Sequence, residues 1–126
     1  MKNGAIIIPA GAYPAVHEIE TAKILAKFGH HVEFLVPNRT KGVKTPDIIM
    51  DGLAWEIKSP IGKSRSTIQH AIKRAGHQAH NVILDLRRIN LEQSVAISEA
   101  RRQVAASRSI QRLLVVTFSG KTVTFF

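Results

Sequence analysis

The chain reads as an α/β domain with a mixed central sheet flanked by helices. Three observations carry that reading. Segments with apolar residues at helical spacing alternate with short apolar runs of strand length. Asp51-Gly52 stands between two such runs, a strong hairpin signal, so part of the sheet is antiparallel. Asn81 to Leu86 is apolar almost throughout, the pattern of a strand covered on both faces.

The elements follow in order. Residues 1–14 form an irregular or strand-like lead broken by Gly11 and Pro14. Gly4 to Ala12 is apolar but short, and it reads as structure rather than as a leader. Residues 15–28 predict a helix with Ile19, Ala22, Leu25 and Ala26 on one stripe, stopped by Gly29. His31 to Val36 is a strand closed by Pro37. Asn38 to Thr45 is a basic loop carrying Arg39, Lys41 and Lys44. The hairpin then runs from Asp47 to Met50, turns at Asp51-Gly52, and returns from Leu53 to Lys58. Ser59 to Ser64 is a loop, and a second helix is expected from Ser66 to about His80. Asn81 to Leu86 is a strand, Leu91 to about Ser107 a third helix, and Leu113 to Phe118 and Lys121 to Phe126 the last two strands. The apolar Phe125-Phe126 pair suggests a natural chain end.

Size and composition bound the function. With 126 residues the chain makes one domain, and 44% apolar residues suit a globular core. Eighteen Lys plus Arg against nine Asp plus Glu give a formal charge of +9. That excess favours a polyanionic partner, since basic groups displace counterions from nucleic-acid phosphates. There is no cysteine, so disulfides and thiolate metal sites are excluded. Any bound metal must take oxygen or imidazole donors, which points to Mg2+ or Mn2+, with Zn2+ as the further option. No apolar run approaches the length of about 18 residues that a spanning helix needs. Action in a cytoplasm is expected.

The chemistry concentrates at the hairpin. Side chains alternate along a strand, so Glu56 and Lys58 share a face while Trp55 and Ile57 take the other. Asp47 lies across the hairpin. Two carboxylates and an ammonium at one strand pair can hold a divalent cation and activate a water beside it, and in so basic a chain the matching substrate is a phosphodiester. Arg39, Lys41, Lys44, Lys63 and Arg65 flank the hairpin in sequence and are expected to grip phosphates.

Pro46-Asp47 followed by Glu56-x-Lys58, with a helix before and a helix after, resembles the PD-(D/E)xK nuclease superfamily. The wider frame is more specific. It comprises His17-Glu18-Ile19-Glu20-Thr21-Ala22 leading to Leu25-Ala26 and Gly29, the hairpin, Lys58-Ser59-Pro60, Ser66-Thr67-Ile68, Gln78-Ala79 and Val82 to Leu86. Over residues 15–118 that series is similar to the C-terminal toxin domains of contact-dependent growth inhibition proteins, many of them tRNA nucleases. The resemblance implies that Asp47 and Glu56 bind the metal, with Glu18, rather than Glu20, as the helix carboxylate. It implies that Lys58 orients the attacking water or steadies charge on phosphate, and that Gln78 bonds the substrate phosphate or a site water. Thr67 and Ser59 are implied as minor contacts. It further implies tRNA as substrate, delivery into a target cell by a larger secreted protein, and a dedicated immunity protein.

Other readings stand beside this one. The same site cuts DNA in related enzymes, and a catalytically silent nucleic-acid-binding module would keep the basic charge without needing the carboxylates. Asp47, Glu56 and Lys58 also fit an ordinary solvated hairpin face. His77 and His80 share a helix face as zinc ligands do, but no third ligand follows at a recognisable spacing. His70 or His77 is a candidate accessory base. Asp51 reads as a turn residue only, and Trp55 as core rather than a stacking platform. Arg101, Arg102 and Arg108 read equally as a solvated helix end or as an RNA track.

Overall fold

A computed structural model describes residues 2–126. Seven strands form one sheet in sequence order: β1 (Ile6–Ile7), β2 (Val32–Phe34), β3 (Ile48–Met50), β4 (Leu53–Lys58), β5 (Asn81–Asp85), β6 (Arg112–Val116) and β7 (Thr122–Phe125). The helices are α1 (Val16–Lys27), α2 (Arg65–Gly76) and α3 (Gln93–Ala106). The sheet is mixed, as expected. β1 and β2 are parallel, β2–β3–β4 antiparallel, β4–β5–β6 parallel, and β7 antiparallel to β6.

Each parallel step needs a crossover, and the helices supply them. α2 and α3 cover one face, packing Ile68, Ile72, Ala96, Ala100 and Val104 onto Val82, Leu84, Leu113 and Val115. α1 covers the other, setting Ala22 and Leu25 against Trp55, Ile57, Ile83 and Leu114. Alternate residues of β5 therefore enter opposite cores. That is why every residue of β5 is buried and why its middle, Val82-Ile83-Leu84, is apolar without alternation.

The hairpin forms as its sequence directs. Asp51 and Gly52 both take positive φ, 55° and 75°, the pair that a type I′ turn requires. The register joins Met50 to Leu53 and Ile48 to Trp55. Asp51 does more than turn the chain, for its Oδ2 lies 2.9 Å from His30 Nδ1 and ties the hairpin to the end of α1. Trp55 is core, with its indole N–H donating to the Met50 carbonyl at 3.1 Å.

The strand-like lead contains a true strand, β1, too short to show a periodicity. One expectation needs correction. α2 ends at Gly76, four residues before His80, because the chain turns there to enter β5. The basic end of α3 is solvated, with Arg101, Arg102 and Arg108 all exposed. Arg102 forks onto the buried Glu99, and Arg101 lies over the Phe125 ring at 4.7 Å. Among the described residues no helix is long and apolar enough to cross a membrane.

Candidate active site

The register fixes the relation of the charged hairpin residues. One step beyond the Ile48–Trp55 pair, Asp47 stands opposite Glu56. Opposed residues of an antiparallel pair share a face. Glu56 and Lys58 stand beside Val82 and Leu84, so all three charged groups lie on the α2 side of the sheet. Asp47 Oδ2 accepts the Ile57 N–H at 2.7 Å, which locks the carboxylate across the hairpin. Lys58 Nζ lies 3.6 Å from Glu56 Oε2.

These groups line, or directly adjoin, a cleft of about 480 Å3 at the carboxyl end of β4. His17 and Glu18 enter it from the start of α1, and Thr67, His70 and Arg74 from α2. The last three recur at helical spacing, one turn after another, so a single face of α2 is presented to the cleft. The opposite stripe, Ile68, Ile72 and Ala75, is buried in the core. Gly62 keeps the loop after β4 against α2, since a Cβ there would meet the Thr67 side chain.

The electrostatics are unbalanced. Glu56 is buried, and its Oε1 has no hydrogen-bond donor. Burial first, and then the charge of Asp47, push its carboxyl up from 4.5 to about 8. Burial likewise raises Asp47, with the Glu18 carboxylate adding to the effect and the Ile57 N–H opposing it. Only a proton on Glu56 or an added cation relieves two carboxylates held this close. Glu18 is nearer to the cleft than Glu20, which pairs with Lys23 at 3.1 Å. Glu18 Oε1, however, accepts the Ala15 N–H at 2.8 Å and so helps cap α1.

The remaining candidates divide. Thr67 belongs to the cleft. Arg39, Lys41, Lys63 and Arg65 are exposed on the loops beside the hairpin and the start of α2. Gln78 is not brought to the site. It lies with Lys44, His77 and His80 in a separate groove at the other end of the strands. The reason is the early end of α2: the helix stops at Gly76, so Gln78 falls in the turn before β5 and not on the face of α2 that lines the cleft. His70 is in the cleft and His77 is not. Arg74 and His17 were missed. The helical spacing of Arg74 from Thr67 and His70 was a usable signal, and His17 stood beside Glu18 in the helix frame without being given a role.

An α/β domain that gathers carboxylates and a lysine at the carboxyl ends of its parallel strands has the layout of a ligand-handling or catalytic domain. The chain belongs to the contact-dependent growth inhibition CdiA C-terminal domain family, whose sequence profile matches residues 44–122. That span contains the whole acidic hairpin and excludes α1. A growth-inhibiting toxin domain is accordingly its class. The fold is similar to that in a CdiA-CT/CdiI toxin and immunity complex from Burkholderia pseudomallei, with a TM-score of 0.71 and 18% identity over 97% of this chain and 98% of that one. No curated protein sequence gives a significant match to the chain.

Proposed function

We propose that this domain is a metal-dependent endonuclease of the PD-(D/E)xK type that hydrolyses RNA, with tRNA as its substrate in an intoxicated cell. The observation that supports it is the pairing of Asp47 with Glu56 beside Lys58: two buried-edge carboxylates, one with a donorless oxygen, in a chain of charge +9. A structural hairpin face gives no reason for that arrangement, because an unpartnered buried carboxylate is destabilising.

The donor set fits a hard divalent cation. No group of three His, Asp or Glu side chains among the described residues closes a shell alone. Mg2+ is commonly held by one or two carboxylates and completed by water and substrate phosphate, which is what Asp47 and Glu56 offer, with Glu18 alongside. When bound, such an ion supplies charge neutralisation at the phosphate and a more acidic water.

The chain's own groups do the rest. The Ile57 N–H orients Asp47. Lys58 Nζ, held near Glu56, offsets negative charge that grows on the phosphoryl oxygens and directs the attacking water toward phosphorus. Thr67 and Arg74 bind backbone oxygens along α2, and Arg39, Lys41, Lys63 and Arg65 extend that grip. Action in the cytoplasm of a recipient bacterium and neutralisation by a cognate immunity protein, acidic where it meets this basic surface, complete the reading. The relative from Burkholderia pseudomallei was solved as a toxin and immunity complex.

The test is incubation of purified protein with total bacterial RNA and, separately, with plasmid, in Mg2+ and in chelator. Cleavage of tRNA that needs Mg2+ and is lost in Asp47→Ala, Glu56→Ala and Lys58→Ala supports the reading. Cleavage of plasmid alone transfers the activity to DNA. Salt-sensitive binding without cleavage of either makes the domain a binding module.

A further inference from the structure

A second cavity of about 400 Å3 lies on the α1 side of the sheet, again at the carboxyl ends of β4 and β5. It shares His17 and Ser59 with the cleft of Glu56 and Lys58. The two hollows therefore form one trough that passes over the end of β4, from the α2 face to the α1 face. Ligands of open parallel sheets bind at that edge, and each hollow falls in the size range of about 300–1,000 Å3 that seats a small organic group.

The second hollow contains a built cation. Arg87 Nε donates to Asp85 Oδ1 at 3.0 Å, and its Nη2 to Asp85 Oδ2 at 2.8 Å. Asp85 is 1% exposed and accepts a further bond at 2.6 Å from Thr21 Oγ1 on α1. The guanidinium plane is thus fixed by a buried carboxylate before any ligand arrives, while Arg87 Nη1 takes no part in these bonds. Arg88 beside it is exposed, and Val16 adds an apolar wall. Glu20, the other acid at this rim, pairs with Lys23. A fixed guanidinium face, an apolar wall, a hydroxyl and a free arginine fit a nucleotide: the planar cation stacks on a base, and the donors reach its phosphate.

We propose that this hollow seats the nucleotide adjoining the scissile phosphate of an RNA strand, with Arg87 as its stacking and positioning residue and Arg88 as its phosphate contact. The inference rests on the nuclease reading given above. The strand would cross the sheet edge, its reacting phosphate at Glu56 and Lys58 and its neighbour against Arg87.

The experiment has two arms on a short single-stranded RNA labelled with fluorescein. In Mg2+, kcat and KM of cleavage are measured for the parent, Arg87→Ala, Arg87→Lys, Arg88→Ala and Lys121→Ala. In chelator, binding of the same RNA is followed by anisotropy across salt concentrations. Loss of a stacking or phosphate contact should raise KM about tenfold in Arg87→Ala and Arg88→Ala with kcat nearly unchanged, and Arg88→Ala should lower the salt slope by about one. Arg87→Lys keeps the charge without the planar fork, so it should resemble Arg87→Ala, and Lys121→Ala should match the parent. Should Arg87→Ala fail to fold, Arg87→Lys and Arg88→Ala decide. Cleavage with KM and affinity unaltered in all folded Arg87 and Arg88 variants overturns the subsite and leaves the nuclease reading intact. Arginine-dependent RNA binding without cleavage keeps the subsite and removes the nuclease. RNA binding that ignores both arginines, without cleavage, removes both.

Discussion

Replacing Glu56 by glutamine should separate stability from catalysis. Glu56 is 7% exposed, its Oε1 has no donor, and its carboxyl sits at about 8 because of burial and the charge of Asp47. The folded protein therefore keeps a proton that the unfolded chain releases above its ordinary value of 4.5. Stability falls as pH climbs through that window and stays low above it, since the unfolded state binds fewer protons there. The ceiling of the loss is roughly 5 kcal/mol at about 1.4 kcal/mol per pH unit, and relaxation with water entry should leave roughly half of it. Glutamine carries no charge, and its amide can donate to Asp47. In chelator near pH 9, Glu56→Gln should melt roughly 5–10 °C above the parent, whereas near pH 4 the two should nearly coincide. Mg2+ should raise the melting temperature of the parent and leave the variant unmoved, because only the parent offers both carboxylates. Cleavage by the variant should drop by about a thousandfold or more. Circular-dichroism melts at the two pH values, with and without Mg2+, make the measurement. A parent whose stability in chelator is flat from pH 5 to about 9, or a variant that melts lower at high pH, would refute the charge conflict on which the site depends.

Other expected outcomes follow from the same contacts. Hydrogen bonds from Arg87 and Thr21 outweigh the burial of Asp85 and hold its carboxyl below the usual range. That stabilisation is present above the unfolded carboxylate value and is lost as pH falls through the folded one, so Asp85→Asn should flatten the acid limb of a stability–pH curve read by urea titration. Gly62→Ala should push Thr67 out of place, lowering cleavage several-fold and the melting temperature with it, read in parallel kinetic and thermal assays. Gln78→Ala should leave kcat/KM within about twofold of the parent, because the residue lies at the far end of the strands. Trp55→Ala should cost about 3–5 kcal/mol in denaturant unfolding, for it fills the core under α1.

Much of the site was legible because it is local. Asp51-Gly52 specifies a two-residue turn, the turn sets the register, and the register puts Asp47 opposite Glu56 with Lys58 on the same face. None of that needs a distant contact. Gln78 was misplaced because the apolar period of α2 does not mark its last residue, and three residues decide which end of β5 a side chain serves. β1 has only two residues and depends on pairing with Val32 and Glu33. Glu99, expected on no ground of spacing, is buried because Arg102 and Gln103 of the next turn enclose it.

The amino-acid sequence by itself determined the α/β class, the hairpin, the basic charge and the acid–lysine set, since short-range periodicity and turn chemistry encode them within a few residues. Only the tertiary structure decided that Glu18, His17 and Arg74 share the cleft, that Glu56 keeps an oxygen without a donor, and that Asp85 clamps Arg87 beside a second hollow. Most of those relations join residues tens of positions apart, as does the Thr21 bond that holds Asp85 in place. They arise when α1 and α2 close over opposite faces of one sheet, a geometry that no local pattern carries.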